Sequence, residues 1–139
     1  MQHSIYTKNL YNDNNQQKIV FILEGINRHL SKGTGGFTVL DNQASIEHIL
    51  PQTQNEDWKA ELGESLERTC EDYLHTFGNL ILVTNEWNST LSNSSFLNKK
   101  GILSNHALRI NSEYFSQEII KWDEDAIKKR ANFLVKQII

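Results

Sequence analysis

An α+β fold, mostly helical around one small β element, follows from three observations. Apolar residues recur at three- and four-residue spacing over several stretches, the period of helices with one buried face. One run, Leu80-Ile81-Leu82-Val83 after Gly78, is the most strand-like in the chain. The 139 residues, with 38% hydrophobic content and one proline, are enough to bury one core of their own.

The elements follow in order. Residues 1–15 are polar and Asn/Gln-rich without periodicity, a frayed end or the tail of something longer. From about Gln16, the residues Ile19, Ile22, Leu23, Ile26 and Leu30 predict an amphipathic helix that stops at Lys32-Gly33. Gly33-Thr34-Gly35-Gly36 is a connector and lacks the Lys-Ser/Thr ending of a phosphate loop. Phe37-Thr38-Val39-Leu40 and Ser45-Ile46-Glu47-His48-Ile49 read as short strands, the second closed by Pro51. Residues 55–74 read as an acidic helical stretch with Trp58, Leu62, Leu66, Cys70 and Leu74 on one face, broken at Gly63. After the strand at 80–83, Thr84 is an N-cap for a helix containing Asn88 and Leu91. A further helical piece runs around Phe96 to Leu103. Asp123 caps a last helix striped with Ile127, Ala131, Leu134 and Ile138. No repeat or internal linker divides the chain, which reads as a single domain over 1–139.

The bulk properties exclude several classes. The single cysteine, Cys70, rules out an internal disulfide framework and a CxxC zinc site, and one thiol suits a cytoplasmic setting. No run has the length of an apolar membrane span, so no membrane partner is expected. The net charge of −3 makes the surface as a whole no magnet for polyanions. Charge is uneven, however: residues 54–73 carry −5, whereas residues 96–139 carry +3. Contacts to nucleic acid are therefore expected toward the last third.

Two polar clusters flank the β element. Glu47 and His48 are neighbours on a strand and point to opposite faces, so both cannot be core. The second cluster runs His75-Thr76-Phe77-Gly78-Asn79, and a strand, turn and helix after it would return Asn88 beside the first. A carboxylate, an imidazole and two amides then converge. These groups suit metal-assisted phosphodiester cleavage. Glu47 and the Asn88 amide oxygen offer oxygen ligands to a hard divalent cation. His48 takes a proton from the attacking water, and the Asn79 carbonyl holds the imidazole N–H and fixes its tautomer.

The motifs IEHILPQ (46–52), HTFGNLILVT (75–84), N-x-x-L-S-N-x-x-F-x-x-K (88–99) and WDEDAIKKRA (122–131) give the chain a family likeness. It resembles the HNH, or ββα-metal, endonucleases, in the branch that forms the C-terminal nuclease domain of GmrSD-type modification-dependent restriction enzymes and related phage-defence proteins. The resemblance covers roughly residues 18–136. It implies a helical shell around a ββα-metal core at about 45–100, and a restriction or anti-phage DNA endonuclease. Glu47 then stands where the family usually has a metal-ligating Asp, and His48 is the general base. Asn79 matches the residue that orients that histidine. Asn88 matches a ligand position that is often His, which favours Mg²⁺ or Mn²⁺ over tightly bound zinc. Lys99 becomes a phosphate contact with Lys100 beside it, and Phe96 a core residue. The substrate implied is foreign or modified phage DNA. The family's parents also carry an N-terminal nucleotide-dependent sensor domain, which nothing in these residues matches, so the chain reads as an excised C-terminal piece or a reduced relative.

Plainer readings stand beside these. Glu47 could pair with a nearby cation, and Asn79 could cap a turn. Asn85 competes with Asn88 on the same helical face. His75 is either a phosphate contact or a buried hydrogen-bonding residue. Lys99-Lys100 could be a solvated face, and Arg130 either touches nucleic acid or pairs with Asp123 or Glu124. The three tryptophans read as packing residues. A non-catalytic binding module on the same fold and an RNA-cleaving toxin remain the alternative functions.

Overall fold

In the computed structural model, residues 16–31, 44–84, 94–106 and 108–138 are described. They form α1 (Gln16–Ser31), β1 (Ala44–His48), α2 (Glu56–Leu62), α3 (Leu66–Tyr73), β2 (Leu80–Thr84), α4 (Phe96–Ser104), α5 (Arg109–Phe115) and α6 (Glu124–Ile138). Short 3₁₀ turns occupy Gly63–Ser65 and Phe77–Asn79. The fold is α+β and mostly helical, as the sequence predicts. The 37–40 strand and the helix expected from Thr84 through Leu91 lie outside the described residues, apart from Thr84, which ends β2.

The two strands pair antiparallel, with Ala44 opposite Thr84 and His48 opposite Leu80. Residues 49–79 are an excursion between them, and α2 and α3 lie within it. Gly63 breaks the excursion's helical stretch as the sequence predicts: its φ of 53° is a region that L side chains rarely enter. Asn55 starts α2 by accepting the Trp58 N–H at 3.3 Å. Asp123 likewise accepts the Ala126 N–H at 3.0 Å and starts α6.

β2 is continuous in apolar residues because helices cover both of its faces. Leu80 and Leu82 join Ile19, Leu23, Ile26, Leu108, Ile110 and Leu134 in one core cluster. Ile81 and Val83 alternate to the other face, among Trp58, Phe96, Leu103, Phe115 and Trp122. The carbonyls of Leu80 and Leu82, two residues apart and so on one edge of β2, are taken by side chains. Arg130 donates to Leu80 at 2.6 Å and Asn111 to Leu82 at 2.7 Å. Among the described residues, no helix is long and apolar enough to cross a membrane.

Candidate active site

The site forms where β1 ends and β2 begins. The Ile49 N–H, just past β1, donates to the Asn79 carbonyl at 3.0 Å, so the excursion closes on itself at its base. The Asn79 side chain is fully buried and uses its whole hydrogen-bonding capacity there. Its Oδ1 accepts the Leu50 N–H at 2.8 Å and the Trp122 indole N–H at 2.9 Å. Its Nδ2 donates to the carbonyls of Leu50 at 3.0 Å and Leu74 at 2.8 Å.

This corrects the expectation that the Asn79 amide holds the His48 ring. The amide binds backbone instead: Leu50 lies two residues after His48, and Leu74 one before His75. Asn79 thereby sets the distance between the two chain segments that carry the histidines. Their rings meet edge to face, with His48 Nε2 and His75 Nδ1 3.0 Å apart. His75 is part-buried and makes this hydrogen bond. His48 is 2% exposed. Burial, then the neighbouring His75 and the Lys99 charge, lower its pKa to about 3, so the ring is neutral at pH 7. Burial also lowers the pKa of His75.

Glu47 is part-buried and accepts the His48 N–H on Oε1 at 3.1 Å. Burial raises its pKa against the opposing pull of Lys99 and of that N–H. A raised carboxyl beside a buried cation is a group whose charge the site only partly stabilises.

Lys99 is the clearest correction. Expected on phosphate, it is instead fully buried, and Nζ donates to the carbonyls of both His48 and Ile49 at 2.8 Å. It also lies 5.9 Å from the Trp58 ring centre. Burial lowers its pKa to about 8 against the pull of Glu47. Lys100, its neighbour on α4, is only part-buried. Arg130 repeats the arrangement from α6: fully buried, it donates to the carbonyls of Gly78 at 3.1 Å and Leu80 at 2.6 Å, on either side of Asn79. Burial lowers its pKa to about 10, and among the described residues its Nε and Nη2 have no hydrogen-bond partner. It does not make the ion pair that is one of its two readings: Asp123 caps α6, and Glu124 binds Tyr73 and Lys128.

The backbone around the site is thus held by two buried cations and one amide. The signal for both cations was helical spacing. Lys99 shares a face with Phe96 and Leu103, and Arg130 lies within the stripe of Ile127, Ala131 and Leu134. Gly78 has a reason of the same kind, since a Cβ there would lie 2.1 Å from the Ile127 carbonyl oxygen. Asn88 and Asn85 lie outside the described residues. Among the described residues, no three His, Cys, Asp or Glu side chains converge as a metal cage. What the arrangement offers is one oxygen donor, Glu47, beside a neutral imidazole pair, a donor type that suits a hard divalent cation.

Residues 1–137 match the family described as GmrSD restriction endonucleases, C-terminal domain. No curated protein matches the chain, and neither does any solved structure.

Proposed function

Since the chain belongs to the C-terminal domain family of GmrSD restriction endonucleases and is a restriction-endonuclease-type domain, we propose that it is an HNH nuclease that hydrolyses DNA phosphodiesters with one divalent cation. The observation that carries this reading is the imidazole pair. A neutral, buried His48 sits beside the part-buried Glu47 carboxylate, on backbone fixed by Asn79, Lys99 and Arg130.

His48, whose ring is neutral at pH 7, is the group that takes the proton of the attacking water. Glu47 and Asn88 would hold the cation, Mg²⁺ or Mn²⁺, through oxygen. When bound, the cation stabilises charge on the phosphate and on the leaving oxygen. Asn79 sets the position of the imidazole through the backbone, and Lys100 faces the phosphates. A single such site cuts one strand, so nicking is the primary product and paired sites are needed for double-strand breaks. The biological substrate is foreign or modified phage DNA in the cytoplasm. A nucleotide-dependent sensor domain or subunit selects it.

The test is relaxation of supercoiled plasmid by wild type and His48→Ala, each with Mg²⁺, Mn²⁺ or EDTA at low salt. Nicking that needs both metal and His48 is expected. A folded His48→Ala protein that nicks at the wild-type rate would refute the mechanism. Parallel digestion of total RNA separates a DNA nuclease from an RNA-cleaving one.

A further inference from the structure

We infer that Trp122 is a positioning residue of the site: its indole N–H anchors the Asn79 amide and, through it, the two chain segments that carry His48 and His75. The placement follows from hydrogen bonds alone. Its effect on cleavage rests on the nuclease reading.

The partners of the Asn79 side chain leave its orientation no choice. The Leu50 N–H and the Trp122 indole N–H can only donate, and the carbonyls of Leu50 and Leu74 can only accept. An amide turned end for end would set its NH₂ against two donors and its oxygen against two acceptors, in a fully buried position where each lost bond is costly. Three of these four bonds stay within the 49–79 excursion, on Leu50 and Leu74. The bond to Trp122, 2.9 Å long and 43 residues away in the chain, is the one that ties the amide to the rest of the fold.

The donor is itself well seated. Trp122 is fully buried, stacked on Phe96 of α4 with ring centres 5.3 Å apart and planes at 22°, and tilted against Phe115 of α5 at 5.8 Å. Two rings thus fix where the indole N–H points. The next residue, Asp123, caps α6, and α6 reaches the same place by its backbone and by Arg130. Arg130 takes the carbonyls on either side of Asn79, and Gly78 lies against the Ile127 carbonyl. Residues 122–130 therefore grip Asn79 by its side chain and by its neighbours. A tryptophan that only packed would need its ring; here the N–H is used as well.

The experiment separates ring from N–H. Trp122→Phe removes both the N–H and part of the ring. Trp122→3-benzothienylalanine keeps the bicyclic ring with sulfur in place of the N–H, and guards against a Phe variant that does not fold. Leu23→Ala, in the core cluster on the other face of the sheet, supplies a destabilised control. Each protein is followed by its Tm, the side-chain resonances of Asn79, His48 and His75, and the turnover and KM of plasmid nicking. Both Trp122 variants are expected to shift the two histidine rings and the Asn79 carboxamide. They are expected to slow turnover roughly 10-fold with KM unchanged, whereas Leu23→Ala lowers Tm and does neither.

Wild-type histidine resonances in the benzothienylalanine protein would overturn the inference and leave Trp122 as packing. Equal shifts in Leu23→Ala would overturn it too, since they would report lost stability alone. Shifted rings with turnover unchanged would refute the role in cleavage. If the resonances move as expected and no protein nicks, the positioning holds and the nuclease reading fails.

Discussion

Lys99 and Lys100 are adjacent in sequence, but the structure buries the first completely and leaves the second only part-buried. Replacing Lys99 with Met keeps most of the stem and removes the ammonium, leaving the buried carbonyls of His48 and Ile49 without their 2.8 Å donors. Hydrogen bonds from a charged donor contribute about 1.5–3 kcal/mol each. The variant also loses the desolvation that holds the ammonium's pKa down to about 8, which offsets part of the loss. The net destabilisation expected is about 2–4 kcal/mol. At a melting entropy of roughly 0.3 kcal/mol per kelvin for 139 residues, the Tm of Lys99→Met falls by about 7–14 °C. Lys100→Met is expected to melt within about 2 °C of wild type, as surface substitutions do. DNA binding separates the two in the opposite sense. Lys100→Met lowers the slope of log K against log salt by about 0.9, the loss of one phosphate contact, whereas Lys99→Met leaves the slope unchanged. Thermal melts and a salt series on a short duplex read both quantities. A Lys99→Met protein with wild-type Tm and a reduced salt slope would refute the assignment and return Lys99 to the DNA surface.

Two further outcomes follow from the same geometry. His48 has a folded pKa of about 3 against 6.5 unfolded, so the unfolded chain binds the extra proton between those values. The contribution of His48 to stability is complete above pH 6.5 and is lost as pH falls toward 3. Relative to His48→Gln, wild type should lose roughly 2.5–3 kcal/mol between pH 7 and pH 4.5 in denaturant titrations, and parallel pH curves for the two proteins would contradict the burial argument. The comparison isolates His48 from the raised carboxyls of Glu47 and Glu61, which act in the other direction. Gly78→Ala drives a methyl against the backbone of α6 and should cost about 1–3 kcal/mol or more. Gly25→Ala and Gly101→Ala, which meet open space within helices, should each gain about 0.5–1 kcal/mol, and equal melting of all three variants would remove the reason given for Gly78.

Most of the fold was legible because periodicity carries it. The first helix, the break at Gly63, the helix around Phe96 to Leu103 and the Asp123 cap are all read from local sequence, and the structure repeats them. α5 was missed: at seven residues it shows barely two turns of pattern, and Asn111 interrupts its apolar face because that amide binds the Leu82 carbonyl. In the candidate site, the residues were legible and their partners were not. His48, His75, Asn79 and Glu47 do gather at one end of the ribbon. Whether an amide holds a ring or a backbone depends on which chain lies within 3 Å, and that depends on packing. Lys99 and Arg130 were misread because charge was given more weight than helical position. A cation on an apolar face signals buried carbonyls to be satisfied, not a solvated patch.

The excursion between β1 and β2 also governs how this molecule is born. The bonds that build the site link residues distant in the chain: Leu50 to Asn79 across 29 positions, Asn79 to Trp122 across 43, Leu80 to Arg130 across 50, and His48 to Lys99 across 51. A ribbon of this kind cannot zip from a tight turn. Its ends meet only after the entropy of closing a long loop has been overcome, with α4 and α6 already present to hold them. Strand pairing is therefore expected late in folding, together with the closing of the core. The amide hydrogens of Ile49 and Leu50 should then exchange with solvent only as fast as the whole fold opens, which ties the lifetime of the site to that of the domain.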